Sequence, residues 1–281
     1  MRSPLAFLKG HGTENDFVLL PDPDGSIDLT PELVRALCDR RSGIGADGVL
    51  RVVRTAAVDD PAAVAARDGA EWFMDYRNAD GSLSEMCGNG IRVFGRHLVD
   101  EHGADAARPL PVGTRGGTRV LRFDGDLVSV DMGPPAVVGP TEVSVGARSW
   151  PARHVSMGNP HAVAFVGDLD DAGPLVEAPE HDPREYPDGV NVEFVVRRGG
   201  RHVAMRVHER GSGETRSCGT GACAAAVAAA LDDEAPRGTT YRVDVPGGRL
   251  DVTWRADGRV VLTGPAVVVA RGEWLGATGP G

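Results

Sequence analysis

The sequence predicts an α+β chain of two related halves, each a sheet closed around a helix, and three observations carry that expectation. Short apolar runs separated by dense Gly and Pro recur along the chain, the punctuation of many short strands. The pattern Cys-Gly-x-Gly occurs twice, as Cys87-Gly88-Asn89-Gly90 and as Cys218-Gly219-Thr220-Gly221, and each copy runs into a helical stretch. The second of these stretches, residues 222–231, carries no charge and is built largely of alanine, the best helix former, so it reads as a fully buried helix inside a sheet.

In chain order, residues 5–8, 17–20, 49–53 and 71–76 read as strands of the first half. Between them Thr30 reads as a helix cap, with Pro31 at the first helical position. The helix after the first motif begins at residue 91. In the second half residues 127–132, 162–166, 190–196, 203–207, 241–245 and 260–262 read as strands. The Gly- and Pro-rich stretch 134–140 is the best candidate boundary by composition. The expected division is residues 1–131 plus 266–281 for the domain with the first motif, and 132–265 for the domain with the second.

Length agrees with two domains, since 281 residues exceed the roughly 150 of one typical domain. A net charge of −10 and the lack of a basic block argue against nucleic acid or an anionic membrane as partner. Only four apolar residues, Leu5 to Leu8, precede Lys9, too few for an export signal, and no run approaches a membrane span. The four cysteines, Cys38, Cys87, Cys218 and Cys223, are therefore expected as reduced thiols in a cytoplasmic protein. Lys9 is the single lysine, and it is followed by Gly10. A phosphate loop of the Gly-Lys-Ser/Thr kind and a pyridoxal-phosphate Schiff base are both excluded by that count.

The paired cysteines point to chemistry. Glycines after a cysteine at a helix start leave backbone N–H groups uncovered, where the helix dipole favours an anion. The same position lowers a thiol pKa from about 8.5 toward roughly 3.5–7.5. Two copies, one per half, suggest a cleft with a thiol on each side of one bound carboxylate, suited to taking a proton from one face of an α-carbon and returning one to the other. Metal binding is not expected, because there is no Cys-x-x-Cys or His-Glu-x-x-His pattern and Cys218 and Cys223 do not share a helical face. Gly43-Ile44-Gly45-Ala46-Asp47-Gly48 matches a dinucleotide glycine pattern but precedes a strand instead of following one, the reverse of the Rossmann order. Cys38 and Cys223, within expected helices, read as core residues.

Around these motifs the chain resembles the diaminopimelate epimerase family over nearly its whole length. The resemblance rests on residues 11–17 (HGTENDF), 43–47 (GIGAD), 78–82 (NADGS), 86–90 (MCGNG), 158–161 (GNPH), 190–192 (VNV) and 209–215 (ERGSGET) leading into 218–221 (CGTG), all in order. It implies two similar domains, each a curved, mostly antiparallel sheet around a central helix. It further implies a pyridoxal-independent enzyme, without cofactor or metal, that interconverts LL- and meso-diaminopimelate for lysine and peptidoglycan precursors. By the same resemblance Cys87 and Cys218 are the acid and base, and His161 and Glu209 assist Cys87 and Cys218 respectively. Gly88, Asn89, Gly219 and Thr220 offer amides to the reacting carboxylate; Asn15, Asn78, Asn159, Asn191, Glu209 and Arg210 contact substrate, Arg210 suiting a distal carboxylate. A racemase of histidine or lysine on the same fold is the rival reading. Three departures stand out: Thr13-Glu14 where many members have Leu-Gly, Gly48 where many have glutamine, and Ala270 where a tyrosine is frequent at the contact of a homodimer.

Overall fold

The computed structural model describes residues 4–276, so the expected domain termini at 1–3 and 277–281 lie outside the described residues. The chain divides into two compact units, one running to Val130 and resuming at Pro265, the other Asp131–Gly264.

In the first unit the strand order is β18 (Val267–Trp274), β1 (Leu5–Gly12), β2 (Asn15–Pro21), β3 (Gly48–Arg54), β4 (Trp72–Asn78), β5 (Leu110–Gly113), β6 (Arg119–Asp124) and β7 (Leu127–Gly133). The β2–β3 and β4–β5 pairs are parallel and the others antiparallel. Helix α3 (Gly88–His102) packs against β1, β2, β3, β4 and β18. It ends at Gly103, whose left-handed φ of 70° a residue without Cβ adopts freely. Helix α1 (Pro31–Cys38) starts as expected, with the Thr30 hydroxyl accepting from the Leu33 amide at 3.3 Å. Its Leu33, Val34 and Leu37 pack with Val18, Leu20 and Val49, so β2 is covered on both faces and reads as an unbroken apolar run. Helix α2 (Pro61–Ala66), capped by Asp60, packs Ala63 on Val53 and Phe73.

The second unit repeats the plan. Its order is β8 (Ala136–Val145), β9 (Arg148–Ser156), β10 (Pro160–Phe165), β12 (Asn191–Gly199), β13 (His202–Glu209), β15 (Thr240–Val245), β16 (Gly248–Trp254) and β17 (Val260–Pro265). Again only the third and fifth pairs, β10–β12 and β13–β15, are parallel. The short strands β11 (Glu180–His181) and β14 (Gly213–Thr215) pair with β8 and β13. Helix α4 (Gly219–Asp232) packs against β9, β10, β12, β13, β15 and β16, and every residue from Gly221 to Ala230 is buried. Alanine suits that position because its small side chain lets strands approach the helix from all sides. The duplication seen in two tetrapeptides thus extends to eight strands with the same sequence of parallel and antiparallel pairs.

The stretch 134–140 lies a few residues beyond the division at Val130/Asp131, and β8 begins within it at Ala136. Gly48 has a steric reason: a Cβ there would stand 2.5 Å from the Arg77 carbonyl and 2.6 Å from the Tyr76 ring. Thr13 and Glu14 form the two-residue turn between β1 and β2, with φ of 51° and 61°. Such turns favour Asn or Gly, since a Cβ in the left-handed region costs about 1–2 kcal/mol. Part of the gain from a glycine is returned by its greater freedom in the unfolded chain, about 0.4–1 kcal/mol. Glu14→Gly is therefore expected to stabilise the protein by about 0.5–1 kcal/mol, seen as a higher urea midpoint with an unchanged slope. A lower midpoint would mean that the Glu14 side chain contributes more than its backbone conformation costs.

Candidate functional site

Each Cys-Gly-x-Gly motif folds in the same way: the cysteine is the helix cap and its sulfur accepts from the amide three residues on. Cys87 Sγ takes the Gly90 N–H and Cys218 Sγ the Gly221 N–H, both at 3.3 Å. Glycine at the third position of each turn keeps clear of close neighbours. A Cβ at Gly90 would meet Leu50 Cδ2 at 3.2 Å, and one at Gly221 would meet Glu193 Oε1 at 2.6 Å. The preceding amides, of Gly88 and Asn89 and of Gly219 and Thr220, belong to the first helical turn, which cannot bond them within the helix.

In the first unit Asn15 receives the thiol. Cys87 Sγ lies 3.6 Å from Asn15 Oδ1, which also accepts from Asn89 Nδ2 at 3.3 Å. Asn15 Nδ2 in turn donates to Asp47 Oδ2 at 2.7 Å, so Asp47 fixes which end of the carboxamide faces the sulfur. Arg40 joins Asp47 to Asp16, and Lys9 pairs with Asp16 as well, which gives the single lysine a structural ion pair. Burial pushes the Asp16 pKa up, but the hydrogen bonds and charges of Arg40 and Lys9 outweigh it and hold Asp16 at about 2. Asn78 is placed differently: its side chain donates to Ser82 Oγ at 3.0 Å, closing the turn after β4.

In the second unit the thiol stands among acids. Cys218 is 5% exposed and feels the charge of the Glu209 carboxyl, which accepts from Thr215 Oγ1. On the other side Thr220 Oγ1 lies 3.5 Å from Sγ, Asn159 Nδ2 donates to Thr220 Oγ1 at 3.3 Å, and His161 Nε2 lies 3.1 Å from Asn159 Oδ1. His161 is fully buried, with Nδ1 2.6 Å from Glu193 Oε1. Asn191 holds the neighbouring loop, donating to Pro160 O and accepting the Arg210 amide, both at 3.0 Å. The Arg210 guanidinium is exposed, donates to Asp188 O at 3.1 Å and makes no ion pair among the described residues.

The electrostatics correct one expectation. A helix start alone lowers a thiol pKa, yet that of Cys218 is raised well above its ordinary value. Burial is the largest cause, followed by the charges of Glu209 and Glu193, against which the Thr220 and Gly221 hydrogen bonds are insufficient. Burial likewise raises Glu209 and Glu193. Cys38, pushed up to about 12 by burial, and Cys223, fully buried in α4, occupy core positions. Glu193 is not among the residues that motif or resemblance marks; its one signal in the sequence is an acidic residue within the mostly apolar run 190–196.

Comparison with known proteins agrees with this plan. The sequence model of the family described as diaminopimelate epimerase matches residues 7–138 and 153–269. A diaminopimelate epimerase of Streptomyces coelicolor is 61% identical, over 98% of this chain and 96% of its own length. That of Thermobifida fusca is 51% identical, over 96% and 97%. Among solved structures, a phenazine biosynthesis protein of the PhzF family from Bacillus anthracis superposes with a TM-score of 0.70 at 16% identity, covering 98% of this chain and 100% of that one. A hydroxyproline epimerase from Agrobacterium vitis gives 0.66 at 14% identity, covering 99% and 93%. The duplicated sheet-and-helix fold with a cysteine at each helix start defines an isomerase of the amino-acid epimerase class. Within that class the chain belongs to the diaminopimelate epimerase family.

Because the Glu209 charge helps to hold the Cys218 proton, Glu209→Gln is expected to lower the pH at which Cys218 becomes reactive. Alkylation by iodoacetamide at a series of pH values, followed at the Cys218 peptide by mass spectrometry, measures it. An unchanged or upward-shifted profile would refute the assigned cause.

Proposed function

We propose that the protein interconverts LL-2,6-diaminopimelate and meso-2,6-diaminopimelate by moving a proton at one α-carbon, with Cys87 and Cys218 as the two bases. The observation that carries this reading is the matched pair of capping thiols in a chain 61% identical to a diaminopimelate epimerase. In one direction the Cys87 thiolate takes the α-proton and the Cys218 thiol delivers its own to the opposite face, leaving a thiol and a thiolate with roles exchanged. In the other direction Cys218 is the base, and Glu209, whose charge acts on that thiol, is the group to take its proton first. A buried carboxyl with a raised pKa suits that exchange better than a solvated one.

An amino-acid α-hydrogen is far less acidic than a thiol, so the charge that develops must be stabilised where it accumulates, on the α-carboxylate. The amides of Gly88, Asn89, Gly219 and Thr220 at two helix starts supply oriented donors for it without an electron-sink cofactor. Arg210 carries the distal end of the proposal. Its guanidinium is held by one backbone carbonyl and retains a fork suited to a second carboxylate, which a monocarboxylic substrate would leave unpaired. Asn15, Asn159 and Asn191 complete the contacts in this reading, and Asn78, with one N–H on Ser82, keeps its carbonyl oxygen and second N–H to join them.

Incubated with LL-diaminopimelate in deuterium oxide, the reduced protein is expected to form the meso isomer with deuterium at one α-carbon. Cys87→Ala and Cys218→Ala should each reduce epimerisation by on the order of 10³-fold or more, since a missing member disables the unit. Wild-type turnover in either variant would remove the two-base assignment. Faster turnover of an amino acid with one carboxylate would remove the assignment of Arg210.

A further inference from the structure

One buried ionisable group takes no part in the chemistry above. Glu193 stands on β12, and the parallel register of β10 and β12 sets His161 opposite Asn191, so Glu193 shares their face two residues on. Its side chain is 0% exposed, and Oε2 has no hydrogen-bond partner among the described residues while Oε1 meets His161 Nδ1 at 2.6 Å. Leaving a buried polar atom unsatisfied costs about 1–3 kcal/mol, and an apolar side chain of the same size would avoid it. Packing therefore does not explain a glutamate here.

The direction of the hydrogen bonds does. Asn159 Nδ2 donates to Thr220 Oγ1, which leaves the Thr220 O–H to turn to Cys218 Sγ, 3.5 Å away. That fixes the Asn159 amide with Oδ1 toward His161 Nε2, which has to carry a hydrogen at that position. His161 Nδ1 then faces Glu193 Oε1 with a single proton between them. Whether that proton rests on nitrogen or oxygen, the ring keeps Nε2–H aimed at Asn159.

We propose that Glu193 is a positioning residue of the reaction: sharing one proton with His161 Nδ1, it locks the imidazole tautomer that starts the hydrogen-bonded line from His161 through Asn159 and Thr220 to Cys218. The proposal rests on the assignment of Cys218 to proton transfer. An uncharged amide in place of the carboxyl, as in Glu193→Gln, still donates to Nδ1 and preserves the lock. A leucine of similar volume, as in Glu193→Leu, cannot donate and frees both tautomers.

Nitrogen-15 spectra of the His161 ring in the ligand-free, full-length protein test this directly. Wild type and Glu193→Gln are expected to hold hydrogen on Nε2, and Glu193→Leu to show a mixture. In kinetics Glu193→Leu should lose about tenfold or more in kcat with KM little changed, while its unfolding midpoint stays level or rises. Glu193→Gln should recover to within about threefold of wild type. A merely structural glutamate predicts the reverse order, with the stability lost and the tautomer unmoved. Equal impairment of both variants, full kcat in Glu193→Leu, or a wild-type ring with Nε2 bare would overturn the proposal; the last is read without any variant that must fold. Since the spectra need no substrate, failure of α-proton exchange on diaminopimelate would sink the function and leave the tautomer result to be judged separately.

Discussion

The contact on which the structure turns is a sulfur capping a helix. A cysteine whose Sγ takes the third amide of its helix ties the thiol to folding, because the side chain that caps the helix also ends the connection that leads into it. The consequences run outward from it. The third helical residue is glycine in both, with Leu50 close against one turn and the Glu193 carboxyl against the other. The helix that follows has to bring its start to a site, so it lies inside a sheet, with little room for side chains. In α4 this is taken to its limit, with ten successive buried residues, seven of them alanine. Stability of such a helix comes from the strands packed around it more than from its own propensity.

The two units share that frame and differ in what the sulfur meets. Cys87 faces the carboxamide of Asn15, whose orientation Asp47 fixes; Cys218 faces the carboxylate of Glu209, with Glu193 behind it. A neutral acceptor bears on a thiol only through a hydrogen bond, whereas a buried carboxylate also opposes the loss of the proton through its charge. The first is a matter of geometry, the second of electrostatics. A helix start, taken alone, predicts the same lowered pKa for both cysteines; in the second unit burial and two acids reverse the sign.

That reversal marks where the sequence stops being readable. Strands covered on both faces, such as β2, β3 and β12, stand out as apolar runs, and α1 announces itself through Thr30 and Pro31. Strands with one face toward solvent do not: β8 includes Gly139 and Pro140, and β18 is mostly exposed, with Arg271 and Glu273 near its end. The site behaves likewise. The cysteines, His161, Glu209 and the asparagines were legible because motif and family resemblance mark them. Glu193 was not, since a glutamate in a strand reads as a solvent-facing residue, and only the parallel register of β10 and β12 places it beside His161.

Two chemically identical thiols can serve as acid and base only if something distinguishes them before substrate arrives. Sequence symmetry works against that, since both motifs present the same cap, the same glycines and the same helix dipole. The distinction must come from side chains outside the duplicated tetrapeptide, and they are found on the strands: Asn15 at the start of β2, and Glu209 and Glu193 on β13 and β12. Residues that pack around a duplicated helix are thus free to diverge where the cap itself is not. Pairs of groups whose surroundings push their pKa values apart are the usual basis of acid and base assignment. In the second unit that push is physically expensive, since it keeps two carboxyls and a thiol out of water. Such an arrangement holds the Cys218 proton in place, and it sets the surroundings of one thiol apart from those of the other in a fold whose two helix caps are alike.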